Sequence, residues 1–155
     1  MASQEGKRNC FEVEIGAVGK PLEHTITNEE VIRNCWATED YNPWHMEDSP
    51  WGGPITTPTF PVMYQNAAFG QSFFQPAGGG WHTRQHFDFL NPLKVGKKIT
   101  LTTSIKERYE KRGRYYTVYE TTVVDEDGNE IMRMGKHMTP SMYQNPEDKK
   151  QKREG

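Results

Sequence analysis

Beyond residue 80 the hydrophobic pattern settles to a period of two, and that half of the chain reads as sheet. "WHTRQHFDFL" alternates, "NPLKVGKK" is a turn, and "ITLTTSIKERYEK" is a long strand rich in Thr and Ile. "YYTVYETTVVDEDGNEIMRMGKHMT" then reads as two strands joined at "DEDGNE", where Asp127-Gly128 is a strong hairpin signal. That acidic turn is not a calcium loop, because Gly128 follows Asp125 too early and no glutamate closes it. Antiparallel strands with one apolar face need an element to cover that face.

The segment from Pro58, "PTFPVMYQNAAFGQSFF", supplies one: Phe60, Met63, Tyr64, Ala67 and Ala68 recur at helical spacing. Pro61 fits a first helical turn, where its missing N–H would be unpaired anyway. Upstream, "TNEEVIRNCWATE" predicts a short helix, with Thr27 or Asn28 as cap, acids in the first turn and a stripe of Val31, Ile32, Cys35 and Trp36. Phe11, Val13 and Ile15 alternate as a half-buried strand before a turn at Gly16 to Gly19, and "QPAGGG" at 75–80 is a connector. The sequence thus predicts one α+β domain over residues 11–142, an antiparallel sheet wrapped around a long central helix. A disordered N-terminus over 1–10 and a basic disordered tail over 143–155 flank it.

With 155 residues, 34% hydrophobic and mean hydropathy −0.90, the core must be lean, which 12% aromatics offset in part. A lean core is often completed by a partner subunit, so an oligomer is expected. Net charge −2 and a pI near 6.2 give no global basic field, so no nucleic-acid partner is expected. No apolar run approaches the roughly 20 residues needed to span a bilayer, and "MASQEGKRN" has no apolar signal-peptide region. Cys10 and Cys35 show neither CxxC spacing nor a disulfide framework, so a cytoplasmic, reduced protein with no membrane partner is expected.

The densest chemistry lies in "TEDYNPWHMED", residues 38–48. Asp40 and His45 stand five apart with Pro43 between them, a spacing that puts them on different faces of a helix and reads as an ordered turn. Histidine titrates near neutrality and a carboxylate can orient and charge-balance it. Spacing alone leaves two readings open, a proton-transfer site or a turn with an incidental histidine. Neither residue belongs to an apolar periodic run, so both are expected outside the core.

"ATEDYNPWH" resembles the Asp-x-Asn-Pro-x-His signature of the (R)-specific enoyl-CoA hydratases, the MaoC-like dehydratase family with the hotdog fold; Asp40, Asn42, Pro43 and His45 match it position for position. "GGPITTPTF" at 52–60 resembles the glycine-rich lead into the hotdog helix. "HTRQHFDFLNPLKVGKKI" at 82–99 resembles the family's strand, Pro-aliphatic-x-x-Gly turn and strand. The resemblance covers roughly residues 11–140. It implies reversible syn hydration of a trans-2-enoyl thioester, or dehydration of an (R)-3-hydroxyacyl thioester, on CoA or an acyl carrier. Asp40 and His45 would be catalytic and hold the water, with substrate contacts at Asn42, Thr57, Thr59, Trp81 and His82. No redox cofactor or metal is implied, and the assembly would be a homodimer or a heterodimer of hotdog subunits with the site at the interface. The chain departs from the familiar hydratases at Pro58, where they carry glycine; proline has no N–H, so either a neighbour, Thr59, donates to an enolate oxygen or that oxygen is held more weakly. Pro-Thr-Phe-Pro also resembles a sub-branch that includes non-catalytic partner subunits, which leaves an acyl-binding subunit and a hotdog thioesterase as alternatives.

Other features carry a bland reading beside a functional one. His82 and His86, four apart on one strand face, could face a substrate tunnel or ligate a metal, but no Cys or carboxylate cluster completes a metal site. Trp44, Trp51, Phe73, Phe74 and Trp81 either pack the core or line a pocket for a bulky or aromatic acyl group. Lys94, Lys97 and Lys98 either form a solvated turn or meet the phosphates of CoA. "KERYEKRGRYY", 106–116, mixes basic and aromatic residues, but its spacing fits the ends of two paired strands around Gly113.

Overall fold

The computed structural model describes residues 6–75 and 79–141. Its frame is a five-stranded antiparallel sheet of β2 (Leu22–Thr25), β5 (Lys98–Lys111), β6 (Arg114–Asp125), β7 (Glu130–Pro140) and β4 (Gly80–Phe89), in that spatial order. The period-two pattern does what it should: Ile99, Leu101, Thr103 and Ile105 of β5 are fully buried, and the residues between them are not. Thr103 is tolerated there because its hydroxyl pairs with that of Thr121 at 2.9 Å. At the β6–β7 turn, Asp125 Oδ1 accepts from the N–H groups of Asp127 and Asn129, and Gly128 takes φ 86°. Between β5 and β6, Arg112 and Gly113 make a two-residue turn, so 106–116 is the ends of two paired strands.

The central helical segment covers one face of the sheet as two short pieces, a 3₁₀ turn at Phe60–Tyr64 and α3 at Gln65–Gly70. Thr59 gives no side-chain cap to it, and Pro61 lies in the first turn. Phe60 and Ala68 enter one core cluster, with Val31, Leu101, Val123 and Met132, while Phe69 enters a second with Phe73, Ile105 and Tyr119.

Helix α1 (Asn28–Thr38) begins with a capping box in which Thr27 and Glu30 satisfy each other's backbone. Glu30 does more than cap. Its carboxylate accepts from Thr27 N–H at 2.9 Å, the Thr27 hydroxyl at 2.7 Å and the Tyr64 hydroxyl at 3.1 Å, and lies 2.9 Å from His24 Nε2. Burial alone would raise its pKa, but these bonds and the His24 charge outweigh burial and hold the carboxyl below its ordinary value. One side chain therefore ties β2, α1 and the 3₁₀ turn together.

The N-terminal expectation needs correction. Phe11, Val13 and Ile15 form turns rather than a strand, and of the three only Val13 is buried. The ordered chain also starts before residue 11. β1 (Arg8–Asn9) pairs in parallel with β3 (Phe73–Phe74), and Cys10 is 1% exposed. The Arg108 guanidinium donates to the carbonyls of Cys10 and Val13 and so fixes this stretch against β5, a contact no local pattern encodes. Residues 143–155 lie outside the described residues.

Two outcomes follow from this packing. Gly135 faces His86 across β4 and β7, and a Cβ there would fall 2.0 Å from the imidazole. Gly135→Ala should therefore cost about 1–3 kcal/mol, and a His86→Ala change in the same chain should recover most of it. Urea unfolding of both single variants and the double checks this; additive losses would refute it. Glu30→Gln should cost about 2 kcal/mol at pH 7. Because the folded pKa is lowered, that advantage is complete above the ordinary value of 4.5 and is lost as pH falls through the folded one. Urea midpoints at pH 7 and pH 3 should show the gap closing in acid, and a pH-independent gap would refute the assignment.

Candidate functional site

Helix α1 stops at Glu39, which takes the left-handed conformation (φ 54°), and Asp40 N–H returns to the Cys35 carbonyl at 3.0 Å. The expected turn at 40–45 is a short helix, α2 (Pro43–Met46), with Pro43 at the first position, where its missing N–H costs nothing. Asn42 is the cap: its Oδ1 accepts from Trp44 N–H at 3.0 Å, and its own N–H donates to Asp40 Oδ1 at 3.3 Å. Asp40 lies before the helix and His45 inside it, so the two point at one another. His45 Nε2 is 3.4 Å from Asp40 Oδ2.

His45 is buried, at 5% exposure, which corrects the expectation that it lies outside the core. Its Nδ1 is 2.9 Å from the Ile55 carbonyl. A carbonyl can only accept, so Nδ1 carries the hydrogen and, in the neutral ring, Nε2 presents a lone pair. Ile55 is itself fixed: its N–H donates to the Trp44 carbonyl at 2.9 Å, and its neighbour Thr56 donates to the Leu93 carbonyl at 2.8 Å. Behind the pair, burial and then the Asp40 charge push the Cys35 thiol up, leaving it a neutral packing group.

Asp40, Asn42 and His45 form part of the wall of a cavity of about 460 Å³. Thr56, Trp44, Trp51, Ile55, Pro58 and the stretch Phe89–Leu93, with Ile131, complete it. An Asp carboxylate and an imidazole lone pair, both acceptors, thus face an apolar space from one side. At 3.4 Å nothing fits between the two atoms, but a small molecule with two hydrogens to donate can bridge them from the cavity side.

The remaining expected residues scatter. The Thr57 hydroxyl donates to Asn34 Oδ1 at 3.1 Å, and Thr57 does not line the cavity. Thr59 is exposed, and its N–H meets no backbone carbonyl among the described residues. Trp81 and His82 start β4, whereas the cavity takes Phe89 from its end, about 25 Å away at strand rise. A bulge between His82 and Arg84 sets His82 opposite Met138 and His86 opposite Gly135, so the two histidines face opposite sides of the sheet rather than one. Of the five aromatic candidates, Trp44 and Trp51 line the cavity, Phe73 is core, and Phe74 and Trp81 lie away from it. Lys97 is paired with Asp127 and Glu126, and Lys98 with Glu23. Sequence reasoning missed the Ile55 carbonyl and the wall from Phe89 to Leu93. Only the Pro-aliphatic-x-x-Gly turn hinted at the latter.

A scan against protein families matches residues 14–134 to the family described as FAS1-like, dehydratase domain region. No curated protein matches the chain in sequence. Among solved structures, the unliganded R-hydratase PhaJ1 from Pseudomonas aeruginosa aligns with a TM-score of 0.71 at 16% identity, over 86% of each chain. The MaoC-like dehydratase from Rhodospirillum rubrum aligns at TM-score 0.70 and 13% identity, over 83% of this chain and 93% of that one. The C-terminally truncated HadBC (3R-hydroxyacyl-ACP dehydratase) complex from Mycobacterium tuberculosis gives 0.69 and 17%, over 83% and 98%. With the family match over residues 14–134 and the hotdog fold it shares with these structures, the chain belongs to the FAS1-like dehydratase domain family among the MaoC-like hotdog proteins.

Proposed function

We propose that the protein catalyses reversible hydration of trans-2-enoyl thioesters, and dehydration of (R)-3-hydroxyacyl thioesters, with Asp40 and His45 as the acid–base pair and CoA as the carrier. The observation that carries this is the pair of acceptors at 3.4 Å, the imidazole fixed by Ile55 as an Nδ1–H tautomer, on the wall of an apolar cavity. A water held there donates one hydrogen to the carboxylate and one to Nε2, which turns its oxygen lone pair towards the substrate. As that oxygen bonds C3, one water proton passes to the pair and the pair returns a proton to C2 on the same face. The atoms of water are then all in the product, and the pair acts as one coupled unit.

Negative charge gathers on the thioester oxygen during addition and needs a donor. Pro58 lines the cavity and has none; Thr59, next in the chain and just outside the cavity wall, has an N–H without a backbone partner among the described residues, and that N–H takes the role. The segment it opens is a five-residue 3₁₀ turn, so the donor acts by its hydrogen bond with little help from a helix dipole.

Among the described residues β4 is an edge strand with no strand on its outer side, and Trp81 on it is 63% exposed. Antiparallel pairing with β4 of a second hotdog subunit would bring Trp81 and His82 of the partner subunit towards Phe89 and Leu90 at the cavity. That geometry favours a dimer with a shared site, in which Trp81 and His82 meet substrate from across the interface. Both cysteines are buried free thiols, which suits the reducing cytoplasm. A second reading, an acyl-binding subunit that supports an active partner, is favoured by Pro58 and by the likeness to a two-subunit complex.

The test follows loss of enoyl-thioester absorbance with crotonyl-CoA, coupled to an (R)- or (S)-specific dehydrogenase. The (R) product is expected. Asp40→Asn and His45→Gln should each lower kcat by about 10²–10⁴-fold with folding intact, glutamine being chosen because His45 is buried. Near-normal turnover in either variant would rule out the dyad. Silence of the purified protein, relieved by adding a second hotdog subunit, would favour the partner reading.

A further inference from the structure

We infer that the cavity beside Asp40 and His45 selects a flat, aryl-bearing enoyl group over a straight alkyl chain; this rests on the hydration reading and names its substrate class. Trp44 and Trp51 stand at right angles, with ring centroids 5.5 Å apart and planes at 88°, and both line the cavity. They are 42% and 45% exposed. Apolar area left in water contributes nothing to folding, so two half-exposed indoles beside a proton-transfer pair call for an occupant.

Neither indole hangs on a loose chain. Trp44 has its N–H on the Asn42 cap and its carbonyl on Ile55 N–H at 2.9 Å. Trp51 rides a loop closed at Gly53, whose N–H donates to Asp48 Oδ1 and whose carbonyl accepts from the Ser49 hydroxyl, both at 2.6 Å. Gly52 and Gly53 adopt φ 77° and 82°, conformations open to glycine that let the loop turn this tightly. The aromatic corner is built in advance, which is what a selective site requires.

The chemistry of the occupant follows from the wall. Among the described residues no Lys or Arg lines the cavity and its one carboxylate is Asp40, so they offer a phosphate or nucleotide no partner inside it. A neutral apolar group does. Pro58, Phe89, Leu90 and Pro92 offer further apolar surface, and a flat ring can set its edge to one indole and its face to the other. A flexible alkyl chain fills the same space but gains no such geometry.

The test compares kcat/KM of the full-length protein for cinnamoyl-CoA and trans-2-octenoyl-CoA, which are of similar length, in wild type, Trp51→Ala and Trp51→Phe. Calorimetric binding of 3-phenylpropanoyl-CoA and octanoyl-CoA, which lack the reacting double bond, accompanies it. Cinnamoyl-CoA should be preferred by about tenfold. Trp51→Ala should remove that preference and Trp51→Phe should retain it. Equal or better use of octenoyl-CoA by the wild type overturns the aryl inference and leaves hydration standing. If no enoyl thioester turns over, the hydration reading falls and the saturated pair decides the pocket. Tighter 3-phenylpropanoyl-CoA binding that Trp51→Ala abolishes then supports it, and equal or absent binding overturns both.

Discussion

The hydrogen bond from His45 Nδ1 to the Ile55 carbonyl is the constraint on which the site depends. It is a bond between a side chain and a backbone acceptor ten residues away, and it decides the protonation geometry of the ring without any titratable partner. With Nδ1 committed, Nε2 is the one nitrogen left to face Asp40 and the cavity. The carbonyl can hold the ring only because Ile55 is itself held, by Trp44 on one side and by the pairing of 54–56 with 93–95 on the other. A motif residue, a loop and the turn between two strands are thus parts of one device.

Asp40 and His45 are aimed at each other by helix ends. Glu39 closes α1 in the left-handed conformation, Asn42 opens α2, and Asp40 lies in the two-residue gap between them. Each cap contributes on the order of 1 kcal/mol, too little to hold a site alone. Further back, Glu30 joins α1 to β2 and to the central 3₁₀ turn, so the helix that ends at Asp40 is fixed at its start to the core. The lean composition is met in this way: charged and polar side chains make joints that a larger protein would leave to aliphatic packing.

The strands from Lys98 to Pro140, their turns, the capped helix at 28–38 and the Asp-x-Asn-Pro-x-His pattern were all legible, because each depends on period, turn chemistry or residue type within a few positions. The β4 bulge was not. One extra residue between His82 and Arg84 moves His82 to the other face, and nothing in "WHTRQH" marks where pairing slips. The N-terminal stretch failed for a related reason. Its alternation of Phe11, Val13 and Ile15 is real, but the stretch turns on the Asn9 side chain and carbonyl and is held to the sheet by Arg108, almost a hundred residues on. The aromatics divided according to tertiary position: Phe73 is core, while Trp44 and Trp51 line the cavity.

By itself the sequence determined the α+β class, the antiparallel sheet, the family resemblance and the close setting of Asp40 and His45 about Pro43, since these follow from local steric and chemical preferences. Only the tertiary structure decided which imidazole nitrogen faces the carboxylate, that His45 is buried, that Thr57 turns to Asn34 and that two of five large aromatics meet at the cavity. Those outcomes depend on distances between segments far apart in the chain. Such distances are set by how the sheet, the helices and the loops pack together, not by any residue's own neighbours.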